Sequence, residues 1–199
     1  MEVKRLITGI IKTNTYLLKE ENKYIIIDPA GRAEKIMQHI DAEVVAILLT
    51  HGHFDHIKAV DDLVNEYHCP IYLNDNDLDL VLPEKAKINN CFMGLSASIS
   101  NKTNNIVQGT YNITPFNFEV YETPGHTKGS VIYVFEDAIF TGDTLFKGSV
   151  GRTDLYGGNN SVLRQSLRVF KTFDKKYTIY PGHEDFSTLE EELANNPYL

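Results

Sequence analysis

Three histidines and an aspartate fall within six consecutive residues that start at His51, directly after the continuous apolar run Val44–Leu49. An unbroken apolar run of this kind is typical of a strand covered on both faces. In an extended segment His51 and His53 project on the same side, because they are two residues apart. Asp55 and His56 follow where the pattern becomes helical, so they approach the same point from another direction. This combination of imidazole and carboxylate predicts a transition-metal site.

Three further residues of metal-ligand type come directly after predicted strands. They are His126, Asp143 and His183, and each has a glycine close by in the sequence. Glycine lets the backbone turn tightly and approach a bound group closely. The two remaining histidines, His39 and His68, lie on or at the end of predicted helices without this setting, and we expect no site role for them.

Four short motifs occur in a fixed order along the chain, namely HGHFDH, PGHT, TGD and PGH. Together they resemble the metallo-β-lactamase-fold hydrolases, and the likeness extends from Thr13–Leu17 and Ile27–Pro29 to His183. Within that superfamily the chain is most similar to glyoxalase II-like proteins, which are small hydroxyacylglutathione hydrolases. The segment Leu145–Leu155 resembles a short-form branch of that group and also resembles the persulfide dioxygenases.

The resemblance implies an α/β fold, a four-layer αββα sandwich in which two packed sheets carry helices on their outer faces. With 199 residues, 42% of them hydrophobic, the chain is expected to form one domain spanning residues 1–199. Hydrophobic periodicity predicts helices over Arg32–Ile40 and Asn160–Phe173, and one from Asp55, a good N-cap type, through Tyr67. The polar segment Asn74–Asn112 predicts short helices and loops that could line or cover the site.

The resemblance also implies a ligand set for two metal ions. The first ion would be held by His51, His53 and His126, the second by Asp55, His56 and His183, with Asp143 bridging them. Five imidazoles and two carboxylates suit zinc, with iron or manganese as alternatives. In such a site a hydroxide shared by the two metals attacks the carbonyl of a thioester, and Asp55 orients that nucleophile and accepts its proton.

Two more residues have candidate roles with an open alternative. Arg152 falls where glyoxalase II carries a basic residue that holds the glutathione carboxylate, and a guanidinium fork matches a carboxylate well. Its alternative is a structural ion pair with Asp154. Asp28 ends the third predicted strand and could fix one histidine ring, as carboxylates near metal sites often do. Its alternative is a turn aspartate before Pro29.

Charge and composition limit the partners. A net charge of −8 without a basic cluster argues against nucleic acid as a partner. We see no long apolar stretch for a membrane span and no signal peptide, since residues 1–9 already have the pattern of a charged strand. Cys69 and Cys91 occur in no metal or redox spacing, and Cys69 is expected to be a buried free thiol. These features predict a cytoplasmic protein, and the resemblance described above implies a small thioester as its substrate.

Other functions of the same superfamily remain open alternatives. A persulfide dioxygenase would use a single iron while keeping similar residues, and an acyl-homoserine lactonase would share all seven ligands. A β-lactamase is less expected, because those enzymes usually replace the bridging aspartate, whereas Asp143 is present here. A non-enzymatic relative would be expected to have lost ligands, and this sequence retains the full set.

Overall fold

The computed structural model describes residues 1–92, 94–174 and 176–199. The strands, in chain order, are β1 Glu2–Thr8, β2 Thr13–Glu20, β3 Lys23–Ile27, β4 Glu43–Leu48, β5 Ile71–Leu73, β6 Cys91–Phe92, β7 Leu95–Ser96, β8 Thr103–Asn105, β9 Gly109–Ile113, β10 Phe116–Glu122, β11 Val131–Val134, β12 Ala138–Gly142, β13 Leu145–Phe146, β14 Ser149–Val150, β15 Thr178–Pro181 and β16 Ser187–Thr188. The α-helices are α1 Ala33–Met37, α2 Phe54–Ile57, α3 Val60–Tyr67, α4 Leu78–Val81, α5 Pro83–Asn89, α6 Asn160–Ser166 and α7 Leu189–Asn195. Short 3₁₀ helices cover Asp75–Asp77 and Leu167–Thr172.

The strands form two large mixed sheets. The first has the order β1-β2-β3-β4-β5-β8, and the second has the order β16-β15-β12-β11-β10-β9. The pairs β3–β4, β4–β5 and β5–β8 are parallel, as is β12–β15 in the second sheet. Parallel neighbours end at the same edge, so β4 and β5 deliver the segments that follow them to one side of the first sheet.

Three apolar clusters separate four layers. One packs α1 and α3 on the outer face of the first sheet, through residues such as Ile36 and Leu63. A second lies between the sheets and includes Ile25, Phe118 and Tyr133, and a third packs α6 and α7 on the second sheet. The central strands β2, β3, β11 and β12 bury both faces, as their apolar sequences require. The predicted αββα sandwich is therefore confirmed.

Two tyrosines tie the sheets together at the edge where the candidate ligands lie. The hydroxyl of Tyr133, on β11, donates to the carbonyl of Leu49, directly after β4, at 2.7 Å. The hydroxyl of Tyr16, on β2, donates to the carbonyl of Pro181, at the end of β15, at 2.6 Å. Both side chains are buried, so these hydrogen bonds fix the ends of β4 and β15 relative to the opposite sheet.

The prediction of one continuous helix from Asp55 to Tyr67 is wrong. The segment is divided into α2 and α3, because the amide of Ala59 donates to the carbonyl of Pro29 instead of to its own helix. Asp55 is also not the N-cap; His53 occupies that position and Asp55 lies in the first turn. The predicted helix Asn160–Phe173 likewise changes from α to 3₁₀ after Ser166.

Other expectations can be compared with the described residues directly. Cys69 is a buried free cysteine, as predicted, while the side chain of Cys91 lies outside what the structure describes. His68 terminates α3 in a left-handed conformation, in keeping with a capping residue. None of the helices in the described ranges has the length and apolar character that a membrane span requires.

Candidate metal centre

All seven candidate ligands meet at one edge of the two sheets. His51 and His53 follow β4, Asp143 follows β12, and His183 follows β15. His126 lies in the loop from β10 to β11, whose start is held by the hydrogen bond from the Thr123 amide to the Ser130 carbonyl. The common cause is that these strands end at the same side of the sandwich.

His51, His53 and His126 form what we call the inner group. All three are buried, and their ligand-type atoms lie within 4.8 Å of one another. His53 Nδ1 and His126 Nε2 are 2.8 Å apart, and the ring of His51 lies 4.8 Å from each of the other two rings. Three imidazoles converging in this way can hold a divalent metal ion.

Asp55, His56 and His183 form the outer group. Asp55 Oδ2 lies 3.2 Å from His183 Nε2 and 3.4 Å from His56 Nε2. Asp143 stands between the two groups, with Oδ1 3.4 Å from His56 Nε2 and Oδ2 3.5 Å from both His126 Nε2 and His183 Nε2. One carboxylate thus faces both groups, which is the position a bridging ligand would need.

The polar atoms of this cluster fit bound metal ions. His51 Nε2, His53 Nε2, His56 Nε2 and Asp143 Oδ1 are buried and form no hydrogen bond with the described residues. Buried polar atoms are normally paired, because an unpaired one loses hydration without compensation. His126 donates from Nδ1 to the carbonyl of Arg152 at 2.7 Å, which leaves its Nε2 as a lone-pair atom. Metal ions would satisfy these atoms, and zinc, iron and manganese all accept such a set.

Asp28 organises histidines of both groups. Its Oδ2 accepts a hydrogen bond from His56 Nδ1 at 2.9 Å and another from the Thr50 hydroxyl at 2.6 Å. That hydroxyl in turn lies 3.0 Å from His51 Nδ1, and Oδ1 accepts from the Thr50 amide at 2.8 Å. Asp28 lies close to His51 and His56. Because both of its oxygens already accept hydrogen bonds, it orients the rings of these histidines and is poorly placed to coordinate a metal itself.

The charges of the two groups differ. Burial alone would raise the pKa of Asp143, but His56 and His183 hold it well below its usual range. Burial would also raise the pKa of Asp55, but the neighbouring His56 and His183 lower it to about 2. At His51, burial and the neighbouring imidazoles both lower the pKa, well below its usual value. The pKa of His53 is lowered as well, so His51 and His53 are neutral, as metal binding requires, and both carboxylates are ionised.

The family comparison agrees with this geometry. The family model of the metallo-beta-lactamase superfamily matches residues 8–183, which contain every candidate ligand. This chain belongs to the metallo-beta-lactamase superfamily. The probable metallo-hydrolase YqgX of Bacillus subtilis is 34% identical over 207 residues, covering 100% of this chain and 98% of that protein. Hydroxyacylglutathione hydrolase GloC of Haemophilus influenzae is 32% identical, covering 97% of this chain and 95% of GloC.

Solved structures of the superfamily share the whole fold. The crystal structure of the BLEG-1 B3 metallo-beta-lactamase superposes with a TM-score of 0.90 at 32% identity, covering 100% of this chain and 99% of that chain. TTHA1623 in a di-iron-bound form superposes with a TM-score of 0.89 at 33% identity, covering 99% of this chain and 100% of that chain. The fold therefore extends over essentially the full length of this superfamily member, and one similar protein holds two irons.

Asp77 is a site-organising residue that the sequence patterns did not reveal. It is buried, and its carboxylate accepts hydrogen bonds from the Gly52 amide at 2.9 Å, the Thr127 hydroxyl at 2.7 Å and the Gly129 amide at 2.7 Å. Gly52 lies between two histidines of the inner group, and Thr127 follows the third. A methyl group on Gly129 would approach Asp77 to 2.8 Å, so the glycine permits this close contact. Asp77 therefore fastens the two loops of the inner group to each other.

Asn90 supports the same histidine loop from another side. Its amide nitrogen donates to the carbonyls of Gly52 at 2.7 Å and Leu80 at 2.9 Å, and its oxygen accepts from the Phe54 amide at 2.9 Å. The polar segment that was predicted to line or cover the site thus supplies both Asp77 and Asn90. Asp77 ends the 3₁₀ helix Asp75–Asp77 that follows β5, and no glycine or motif in the sequence distinguishes it from the polar residues beside it.

Arg152 lies at the site, where it forms an ion pair with Asp154. A cavity of about 400 Å³ opens over the metal centre and is lined by Arg152, Asp154 and Tyr156 among other residues. The guanidinium of Arg152 pairs with Asp154 through two hydrogen bonds, at 2.7 and 2.8 Å, and its side chain is 49% exposed. The ion pair named as the alternative is thus present, while the position in the cavity wall keeps a substrate contact geometrically feasible.

Proposed function

We propose that this metallo-beta-lactamase superfamily member is a dimetal hydrolase of thioesters of the hydroxyacylglutathione type. The observation that carries the proposal is the complete set of seven ligand-type residues arranged around Asp143. The identity to GloC along 97% of the chain supports the choice of substrate class. An enzyme that had lost its reaction would have no reason to retain two organised ligand groups.

The proposed assignment follows the two groups. The inner group would hold one divalent metal ion and the outer group a second, with Asp143 contacting both. Metal ions at such a centre lower the pKa of water and polarise the carbonyl oxygen of the substrate. Zinc is the metal we expect first, and the di-iron form of TTHA1623 supports iron as the next candidate.

Asp55 would orient the attacking water and accept its proton. It lines the cavity above the site and is held in place by the hydroxyl of Thr13, which donates to Asp55 Oδ2 at 2.8 Å. The low pKa keeps the carboxylate ionised at neutral pH, which an acceptor requires. Cleavage breaks the C–S bond of the thioester, forms a C–O bond from water, and releases a carboxylic acid and a thiol.

The cavity over the centre suits the thiol portion of such a substrate. Its wall combines apolar side chains that are exposed at the rim, Ile88 at 82% and Tyr156 at 40%, with the cation of Arg152. An extended, carboxylate-bearing thiol such as glutathione could place its chain along the rim and a carboxylate near Arg152. This contact would compete with the Asp154 ion pair, so we expect it to contribute modestly.

The decisive experiment measures metal content and thioesterase activity on the same sample. Protein purified without added metal should contain close to two equivalents of zinc, iron or manganese and should release thiol from S-D-lactoylglutathione. Asp55→Asn keeps a carbonyl oxygen in the outer group, so turnover should fall far more than metal content. Asp62→Asn, which alters an exposed aspartate on α3, is the matched control and should keep the parent rate.

Other superfamily reactions are distinguished by parallel assays on that sample. A single iron with oxygen consumption on glutathione persulfide would favour the dioxygenase. Ring opening of an acyl-homoserine lactone would favour the lactonase. The likeness to the BLEG-1 B3 metallo-beta-lactamase makes β-lactam hydrolysis a necessary further assay. Rapid turnover of any of these with none of the thioester would refute the proposed function.

A further inference from the structure

A second cavity adjoins the candidate metal centre, and Arg152 is not among the residues that line it. It has a volume of about 390 Å³ and shares Ile11, Phe54 and Asp55 with the cavity above the site. The two spaces therefore meet at Asp55, the residue proposed to orient the nucleophile. A substrate whose reacting carbonyl lies beside Asp55 has room to extend in both directions.

The second cavity is positively charged in an acidic protein. The whole chain has a net charge of −8, yet Arg32, Lys35 and Lys58 line this cavity, and Asp55 is its acidic lining residue. Arg32 forms a solvent-exposed ion pair with Glu34 at 3.5 Å. In the part of the chain that the structure describes, the side chains of Lys35 and Lys58 form no hydrogen bond or ion pair. Clustered cations in a cavity that adjoins a reaction centre attract an anionic ligand group.

Much of the remaining wall is apolar, and part of it comes from the segment that connects β1 to β2. Ile7, near the end of β1, and Ile10, in the turn between β1 and β2, are 59% and 79% exposed and line the cavity together with Ile11. The backbone of this turn lies directly against the loop after β3. The contact is so close that a methyl group on Gly31 would approach the Gly9 nitrogen to 2.7 Å. An aliphatic segment would be sheltered here before the charged end is reached.

We infer that this second cavity binds the acyl portion of the substrate, and that the preferred acyl groups end in a second carboxylate. The inference rests on the proposed thioester hydrolysis and specifies which thioesters are used. The acyl carbonyl would lie beside Asp55, a short methylene chain would contact Ile7 and Ile11, and the terminal carboxylate would meet Lys35 and Lys58. The products are a dicarboxylate and a free thiol.

The test uses two thioesters of one neutral thiol, so that Arg152 has no anion to bind. They are glutaryl-S-N-acetylcysteamine and its methyl ester, which differ by one negative charge at the acyl terminus. The parent should have a lower KM for the charged compound. In the double variant Lys35→Gln/Lys58→Gln, the KM of the charged compound should rise about tenfold relative to that of the methyl ester. Lys171→Gln, an exposed lysine that lines neither cavity, is the matched control.

A binding measurement separates this inference from the proposed function. In the thioether analogue of the glutaryl compound a methylene replaces the reacting carbonyl, and its affinity for the metal-loaded parent can be measured by calorimetry. If the parent hydrolyses no thioester but binds the charged analogue more tightly than its methyl ester, and the double variant loses this preference, the proposed function fails while the anion site stands. Equal KM and equal affinity for charged and uncharged compounds would overturn the anion site, even if both thioesters are hydrolysed.

Discussion

The inner and outer groups are organised by different forces. The inner histidines are buried, and their loops are held by hydrogen bonds from backbone amides to Asp77. The outer group is held mainly by charge, through Asp28 and Asp143 on His56, and part of it is open to solvent, with the side chain of His183 18% exposed. Hydrogen bonds to the backbone fix the geometry of a site whatever ion is bound, whereas ion pairs change with the charge of the bound ion. The inner group should therefore be the more selective and permanent site.

The largest effect is expected where the two groups meet. Asp143→Ala removes the carboxylate that faces both, so it should lose at least one of the two metal equivalents. Activity should fall by more than the roughly hundredfold that loss of a supporting contact costs. Metal analysis by mass spectrometry and thiol release on the same sample test this. If the parent holds one iron under metal-replete conditions, the two-group description fails and the dioxygenase gains support.

Asp28→Asn should weaken the outer group more than the inner one. Asparagine tolerates the left-handed backbone at this position, where φ is 49°, and keeps one acceptor oxygen, but the charge that orients His56 is lost. We expect metal affinity to fall about ten- to a hundredfold for the more weakly bound ion. Asp137→Asn, on an exposed turn, is the control in metal titrations. Equal weakening of both ions would mean that Thr50 transmits the change to His51 as well.

Asp77→Asn should weaken metal binding by the inner group more than by the outer group. Its amide would place an N–H against a donor from Gly52, Thr127 or Gly129, so one loop contact must be lost. We expect roughly tenfold weaker binding of the first metal, and a free energy of unfolding of the apoprotein lowered by about 1–3 kcal/mol. The d–d spectrum of the cobalt-substituted protein should change if the inner geometry shifts. Asp75→Asn, two residues away and exposed, should change neither property.

The smallest effect is expected outside both groups, at Arg152. Arg152→Ala should raise the KM for a glutathione thioester roughly tenfold more than for a neutral thioester. This effect is at the lower end of the range for a charge-assisted contact, because Asp154 already pairs with Arg152. Lysine should recover only part of this, since it lacks the fork. Asp154→Asn should lower the KM for the glutathione thioester. Equal losses on both substrates, with a lower Tm, would identify a structural ion pair instead.

Much of the fold and of the centre could be predicted because both follow local rules. The candidate ligands lie in loops that follow strands or in the short helix α2, and glycines such as Gly182 and Gly151 leave room for Asp143 where a side chain would collide with it. The continuous apolar runs predicted strands covered on both faces, and three apolar clusters cover them. The break between α2 and α3 could not be predicted, because it depends on a hydrogen bond from Ala59 to the distant Pro29.

The sequence by itself determined which residue types the centre contains and the order in which the strands deliver them. Only the tertiary structure decided that Asp77 joins the loops of Gly52 and Thr127, since Thr127 is 50 residues from Asp77 and the bond between them has no counterpart in local spacing. It also decided that Arg152 pairs with Asp154, and that Gly9 and Gly31 meet to form the wall of a second cavity. Periodicity and motifs record interactions between residues near in sequence, whereas the close approach of distant backbone segments depends on how all four layers pack.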